Sequence, residues 1–154
     1  MRKNINVLVI PVNIDKEEIK YCVFHREDRD VWQFVSGGVE EGETSKIAAL
    51  RELSEETELN KFVCFAKLDT VCSVPGYYFK KYFRKQWCSD IFVVNCEAFA
   101  VQTFDKSISL SKEHTDYKWL SFDEAYSMLE YDFDKTALWE LNERLILNNL
   151  VILK

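Results

Sequence analysis

The chain has 154 residues, 47% of them hydrophobic and 14% aromatic, and a formal net charge of −6. That length and apolar content suit a single domain spanning residues 1–154. With only two prolines and four glycines, they exclude disordered, collagen-like and low-complexity chains. The acidic balance argues against binding a nucleic acid polymer, which needs a basic surface.

In chain order, the basic start runs into Ile5-Asn-Val-Leu-Val-Ile10, an apolar run too short for a membrane span and without a small-residue cleavage site. It reads as a first strand over 6–14, with Pro11 implying an edge or a bend. A second strand is expected over 19–25. A third covers 31–35 and stops at Ser36-Gly37-Gly38. Residues 44–58 have helical periodicity, and 62–74 and 90–101 read as longer strands. Lys80, Lys81, Arg84 and Lys85 interleave with six aromatics between Tyr77 and Trp87. This alternation suits a half-buried strand pair better than a phosphate-and-base platform. Tyr117–Leu120 reads as a short strand. Ser121-x-x-Glu124 is a capping box that should open a helix, and a last helix is expected over 134–148. Five cysteines without a Cys-x-x-Cys spacing suggest neither a disulfide framework nor a zinc site, and fit reduced thiols in a cytoplasm.

The helix over 44–58 carries the chemistry. At about 100° per residue, Glu52, Glu55 and Glu56 share one arc, while Leu50, Leu53 and Thr57 lie opposite, toward a core. Carboxylates at i, i+3 and i+4 repel, so a cation should offset them. Two readings follow: a solvated acidic face, or a site for a hard divalent cation, which prefers carboxylate oxygen. Helix geometry alone does not choose between them.

The wider spacing does. Gly37-x5-Glu43-x7-Arg51-Glu52-Leu53-x-Glu55-Glu56-x2-Leu59 resembles the box of the Nudix hydrolases. Its six glycine, arginine and glutamate positions alone would match by chance with odds on the order of 10⁻⁵. Trp32-Gln33 before the glycines and Trp119-Leu120 with the capping box behind them agree with that family. Glu58 stands where most such boxes have glycine, which predicts a strained or reshaped helix exit, and Ser36 stands where proline is common. His25-Arg26-Glu27-Asp28 and Glu113-His114-x-x-Tyr117 resemble the nucleoside-triphosphate and dihydroneopterin-triphosphate pyrophosphohydrolase group in particular.

The resemblance implies an α/β fold of α+β type, an α/β/α sandwich around a mixed central sheet. It also implies hydrolysis of a nucleoside diphosphate linked to another group, with Mg²⁺ as cofactor and Mn²⁺ as a substitute. The metal ligands would be Glu52, Glu55, Glu56 and Glu113. The general base would be Glu113, with Glu55 its rival, and Arg51 would orient a carboxylate. Gly37 and Gly38 would let backbone approach the metals, and Glu43 would cap the helix or pair with Arg51. Arg26 would meet phosphate or sugar, or form a surface ion pair. Trp32 reads as core, and His25 and His114 as weaker candidates. The expected partner is a small nucleotide-like triphosphate, with no polymer and no membrane. ADP-ribose, a dinucleoside polyphosphate and a non-catalytic ligand-sensing role are the alternatives.

Overall fold

The computed structural model describes residues 2–79, 85–87 and 90–150. Seven strands form one mixed sheet: β1 (Arg2–Asp15), β2 (Glu18–Arg26), β3 (Val31–Gln33), β4 (Val35–Glu40), β5 (Cys64–Pro75), β6 (Val93–Gln102) and β7 (Asp116–Leu120). The described residues add three α-helices: α1 (Ser45–Thr57), α2 (Phe122–Met128) and α3 (Asp132–Ile146). None is long and apolar enough to cross a membrane.

β1 organises the sheet. Along one edge it runs parallel to β6, from Ile5 opposite Asn95 to Val12 opposite Gln102. Its other edge is divided between two antiparallel partners, β4 up to Val9 and β2 from Val12 onward. Pro11 sits in the gap between them, where no partner needs an N–H from it. Of the edge or bend that Pro11 implies, the edge is not found: β1 is central, and its proline marks the change of partner.

Alternation along β1 feeds two cores, because successive side chains point to opposite faces. Val7 and Val9 pack with Ala48, Ala49 and Leu53 of α1. Leu8, Ile10 and Val12 pack with Ala125 of α2 and with Leu138 and Leu141 of α3. Helices thus cover both faces of a mixed sheet, as expected. Trp32 packs against the α2–α3 side, where Lys118 Nζ lies 5.2 Å from its ring.

Three local departures matter for the site. The glycines expected to end a strand lie inside β4, with Gly37 and Gly38 opposite Val7 and Asn6. Tyr77 and Tyr78 belong to a short 3₁₀ turn rather than a strand, and Lys80–Arg84 fall outside the described residues, as does Cys88. In β5 the register with β6 shifts between Lys67 and Val71. There Glu140 of α3 accepts the N–H groups of Asp69 and Thr70 at 2.7 and 2.8 Å, while Arg144 donates to Glu140 at 2.7 Å.

Candidate active site

α1 begins at a Thr44 cap, whose side chain accepts the Ile47 N–H at 3.2 Å. Glu43 is therefore not the cap. Its carboxylate accepts the Glu40 N–H at 2.8 Å and a forked pair from Arg51, with Nε at 2.8 Å and Nη2 at 2.9 Å. Arg51 Nη2 also donates to the Gly38 carbonyl at 2.9 Å, and Nη1 to Glu52 at 2.8 Å and Glu55 at 3.4 Å. One guanidinium thereby ties the turn before α1, the β4 backbone and two helix carboxylates together. The hydrogen bonds from Arg51 hold Glu43 below the usual carboxylate range.

The helix exits through Glu58, in the left-handed region at φ 58°, with its N–H on the Ser54 carbonyl. The last carbonyls of α1 find partners in the late loop: Ser109 N–H donates to Thr57 at 3.2 Å and Ser111 N–H to Glu56 at 3.3 Å. Trp119 Nε1 pins the same loop through the Lys106 carbonyl at 2.9 Å. Satisfying the helix end brings Glu113, about 57 positions further along the chain than Glu56, to the glutamate face.

The three box glutamates do not share one environment. Glu55 is exposed and Glu52 is mostly covered, while Glu56 retains only 2% of its surface. Both Glu56 carboxylate oxygens are buried without a hydrogen-bond partner. Burial, reinforced by the charges of Glu52 and Glu113, pushes the Glu56 carboxyl up to about 10. Burial likewise lifts Glu52 to about 6 against the pull of Arg51. His114 is buried beside them, with Nδ1 3.9 Å from Glu56 and its ring against Phe24, and burial lowers its pKa. Among the described residues no three His, Cys, Asp or Glu groups converge closely enough to grip an ion as they stand. Two orphaned carboxyl oxygens amid further carboxylates are nevertheless a donor set that a hard divalent cation fits.

A cleft of about 1410 Å³ opens over this face, lined by Glu52, Glu55, Glu113, Arg26, Gly37 and Gly38 among others. Gly37 is bare because a Cβ there would stand 2.0 Å from the Glu52 carboxyl carbon. Arg26 lines the cleft and grips Asp28 with Nε at 3.1 Å and Nη2 at 2.7 Å, which is the surface ion pair of its two readings. Three further groups went unnoticed in the sequence. Arg2 lies against Gly38. The buried Asp134 at the start of α3 reaches the cleft wall and accepts the Phe34 N–H at 3.0 Å. Cys72 and Cys96 face each other across β5 and β6 on the same wall. A buried charge next to apolar periodicity could have flagged Asp134, but nothing local marks Arg2.

The glutamate-bearing helix is thus braced by arginine against a glycine strand beneath an open cleft. The model of the NUDIX domain matches residues 2–141, and the chain belongs to the Nudix family, as a Nudix hydrolase. A putative Nudix hydrolase structure from Listeria monocytogenes superposes with a TM-score of 0.83 at 38% identity, covering 95% of this chain and 97% of that one. A dihydroneopterin triphosphate diphosphatase of Haemophilus influenzae is 28% identical over 89% of this chain and 86% of its own length. An RNA pyrophosphohydrolase of Nitratiruptor is 29% identical over 84% of each.

Proposed function

We propose that this Nudix hydrolase is a Mg²⁺-dependent pyrophosphohydrolase, with Mn²⁺ able to substitute. It takes a nucleoside or dihydroneopterin triphosphate to the monophosphate and pyrophosphate. The observation that carries the reading is the buried Glu56 carboxylate, with two unpartnered oxygens beside Glu52 and Glu113. Glu52, Glu55, Glu56 and Glu113 would hold the metal. When bound there, a divalent cation supplies the positive charge that an acidic protein lacks toward a polyphosphate, and makes water more acidic.

The protein's own groups do the rest. Glu113, on a loop at the mouth of the cleft, accepts the proton of the attacking water, with Glu55 as its rival. Arg51 holds Glu52 and Glu55 in position rather than meeting substrate, since Glu43 and the Gly38 carbonyl engage it as well. Gly37 gives Glu52 its seat, and Arg26 stands at the cleft to meet phosphate or sugar. The acidic chain favours a small triphosphate. The similarity to an RNA pyrophosphohydrolase supports a second reading, a triphosphate at an RNA 5′ end.

The test follows the products formed from dATP, other nucleoside triphosphates, dihydroneopterin triphosphate, ADP-ribose, diadenosine polyphosphates and a 5′-triphosphorylated RNA, with and without Mg²⁺: pyrophosphate release from a triphosphate, AMP and ribose 5-phosphate from ADP-ribose, and two nucleotides from a diadenosine polyphosphate. Metal-dependent release from one small triphosphate is expected, and preference for the RNA selects the second reading. Tight binding without turnover of any of them would instead make the chain a sensor. Glu113→Gln should lower kcat and flatten its rise with pH, whereas an unchanged pH profile passes the base role to Glu55.

A further inference from the structure

The sheet register puts two thiols side by side in the cleft. Gly38 of β4 lies opposite Asn6 of β1, Asn6 opposite Cys96 of β6, and Cys96 opposite Cys72 of β5. All four line the cleft, so they form one row across its wall. Neighbouring strands lie about 4.8 Å apart, which puts Cys96 about 10 Å and Cys72 about 14 Å from Gly38. A nucleoside triphosphate with its phosphates at the glutamate face reaches that far.

Among the four free cysteines of the described residues, this pair stands apart. Cys22 is fully buried in the core beneath α1, and Cys64 Sγ meets Gln102 Oε1 at 3.6 Å. Cys72 is half-buried, Cys96 is buried beside it, and each thiol acts on the ionisation of the other. The β5 register shift makes the pair. Continued in the register of Lys67 opposite Phe99, Cys72 would face Val94, whereas the shift before Val71 sets it opposite Cys96. Directly opposed residues of an antiparallel pair have Cα atoms about 4.5–5.5 Å apart, and a disulfide spans about 4.4–6.8 Å. A bridge between them therefore closes without moving a strand.

We propose that Cys72 and Cys96 are a reversible thiol–disulfide couple, a modification site in the cleft wall that a low-molecular-weight disulfide such as oxidised glutathione closes and bound substrate shields. Cys72, the more exposed, loses its proton to solvent and attacks one sulfur of the oxidant, which forms a mixed disulfide and releases one glutathione thiolate. Cys96 then loses its proton and attacks Cys72 Sγ, which forms the cross-strand bridge and releases the second glutathione. Two protein thiols are oxidised by two electrons in all, and one glutathione disulfide is reduced to two thiols. Because the sheet holds the two sulfurs opposite each other, the second step is intramolecular. Burial raises both thiols, Cys96 to about 12, which keeps the resting pair protonated and the exchange slow. The bridge rests on the sheet alone, while the shielding rests on the pyrophosphohydrolase reading.

The experiment incubates the reduced full chain with oxidised glutathione and maps its cysteine peptides by mass spectrometry. The proteins are wild type, Cys72→Ala and Cys96→Ala. Wild type should become lighter by two hydrogen atoms and yield one linked pair of peptides, carrying Cys72 and Cys96, which dithiothreitol separates again. Cys96→Ala should stop at the glutathione adduct on Cys72, and Cys72→Ala should leave Cys96 unbridged. An α,β-methylene analogue of the triphosphate that wild type turns over, at about ten times its Kd with Mg²⁺, should slow closure by about ten-fold. A wild type that keeps the adduct on Cys72 with Cys96 free, bridges either residue to another cysteine, or resists oxidation altogether overturns the couple. Closure at an unchanged rate in the occupied cleft overturns the shielding. If no triphosphate is turned over or bound, the pyrophosphohydrolase reading and the shielding fall together, and the peptide map of wild type still decides the couple.

Discussion

Asp134 offers a quantitative test of how the cleft wall is built. Its carboxylate is 4% exposed and accepts the Phe34 N–H, and burial raises its pKa from 3.8 to about 7. An acid whose folded pKa exceeds its unfolded pKa holds more protons when folded, so between these two values stability falls as pH rises, and above the upper value the loss is complete. At about 1.4 kcal/mol per unit, the folded state carries a burden of about 4 kcal/mol at pH 8, and this shrinks by about 2.7 kcal/mol on going to pH 5. Asp134→Asn keeps an oxygen for the Phe34 N–H and is neutral throughout. The amide adds a pH-independent cost of about 1–3 kcal/mol if its NH₂ finds no partner. The informative quantity is therefore the change with pH and not the offset at either end. Urea unfolding of both proteins at pH 8 and pH 5 should show the advantage of the variant falling by about 2–3 kcal/mol. A difference that is the same at both pH values refutes the reasoning and means that Asp134 is ionised at both.

Glu56→Gln should cut turnover by about 100-fold or more, equal to about 2.7 kcal/mol of transition-state stabilisation. The metal-free variant should unfold at about the same urea concentration as wild type, because burial pushes the Glu56 carboxyl up to about 10 and the uncharged amide replaces a neutral acid of nearly the same shape; near-normal activity at limiting Mg²⁺ would sink the metal assignment. Glu140→Ala should destabilise by about 2–3 kcal/mol, since it strips the acceptor from two N–H groups at the β5 register shift and a partner from Arg144; a urea midpoint within error of wild type would show that water replaces the carboxylate. Glu58→Gly should stabilise by about 0.5–1 kcal/mol through relief of the left-handed backbone, as read from the same unfolding curves, and a loss of stability would mean that the Glu58 side chain holds the exit.

What the sequence made legible is what local periodicity encodes. The apolar run in 6–14 marks a strand but not its central place in the sheet, and the spacing of Glu52, Glu55 and Glu56 puts them on one arc of a helix. The match to the Nudix box says which chemistry such an arc serves. Periodicity cannot rank the three carboxylates, because Glu56 is buried by the late loop closing over the helix end, while Glu55, one position before it, stays in water. The same limit explains the glycines. Ser36-Gly37-Gly38 reads locally as a turn, yet it pairs with β1, and the reason for each missing side chain lies in a distant residue, Glu52 for one and Arg2 for the other. A glycine pair in a strand is therefore a record of what packs against it. Because β1 changes partner at Pro11, its first half lies beside β4, and Arg2 is carried over Gly38 to the glutamate face.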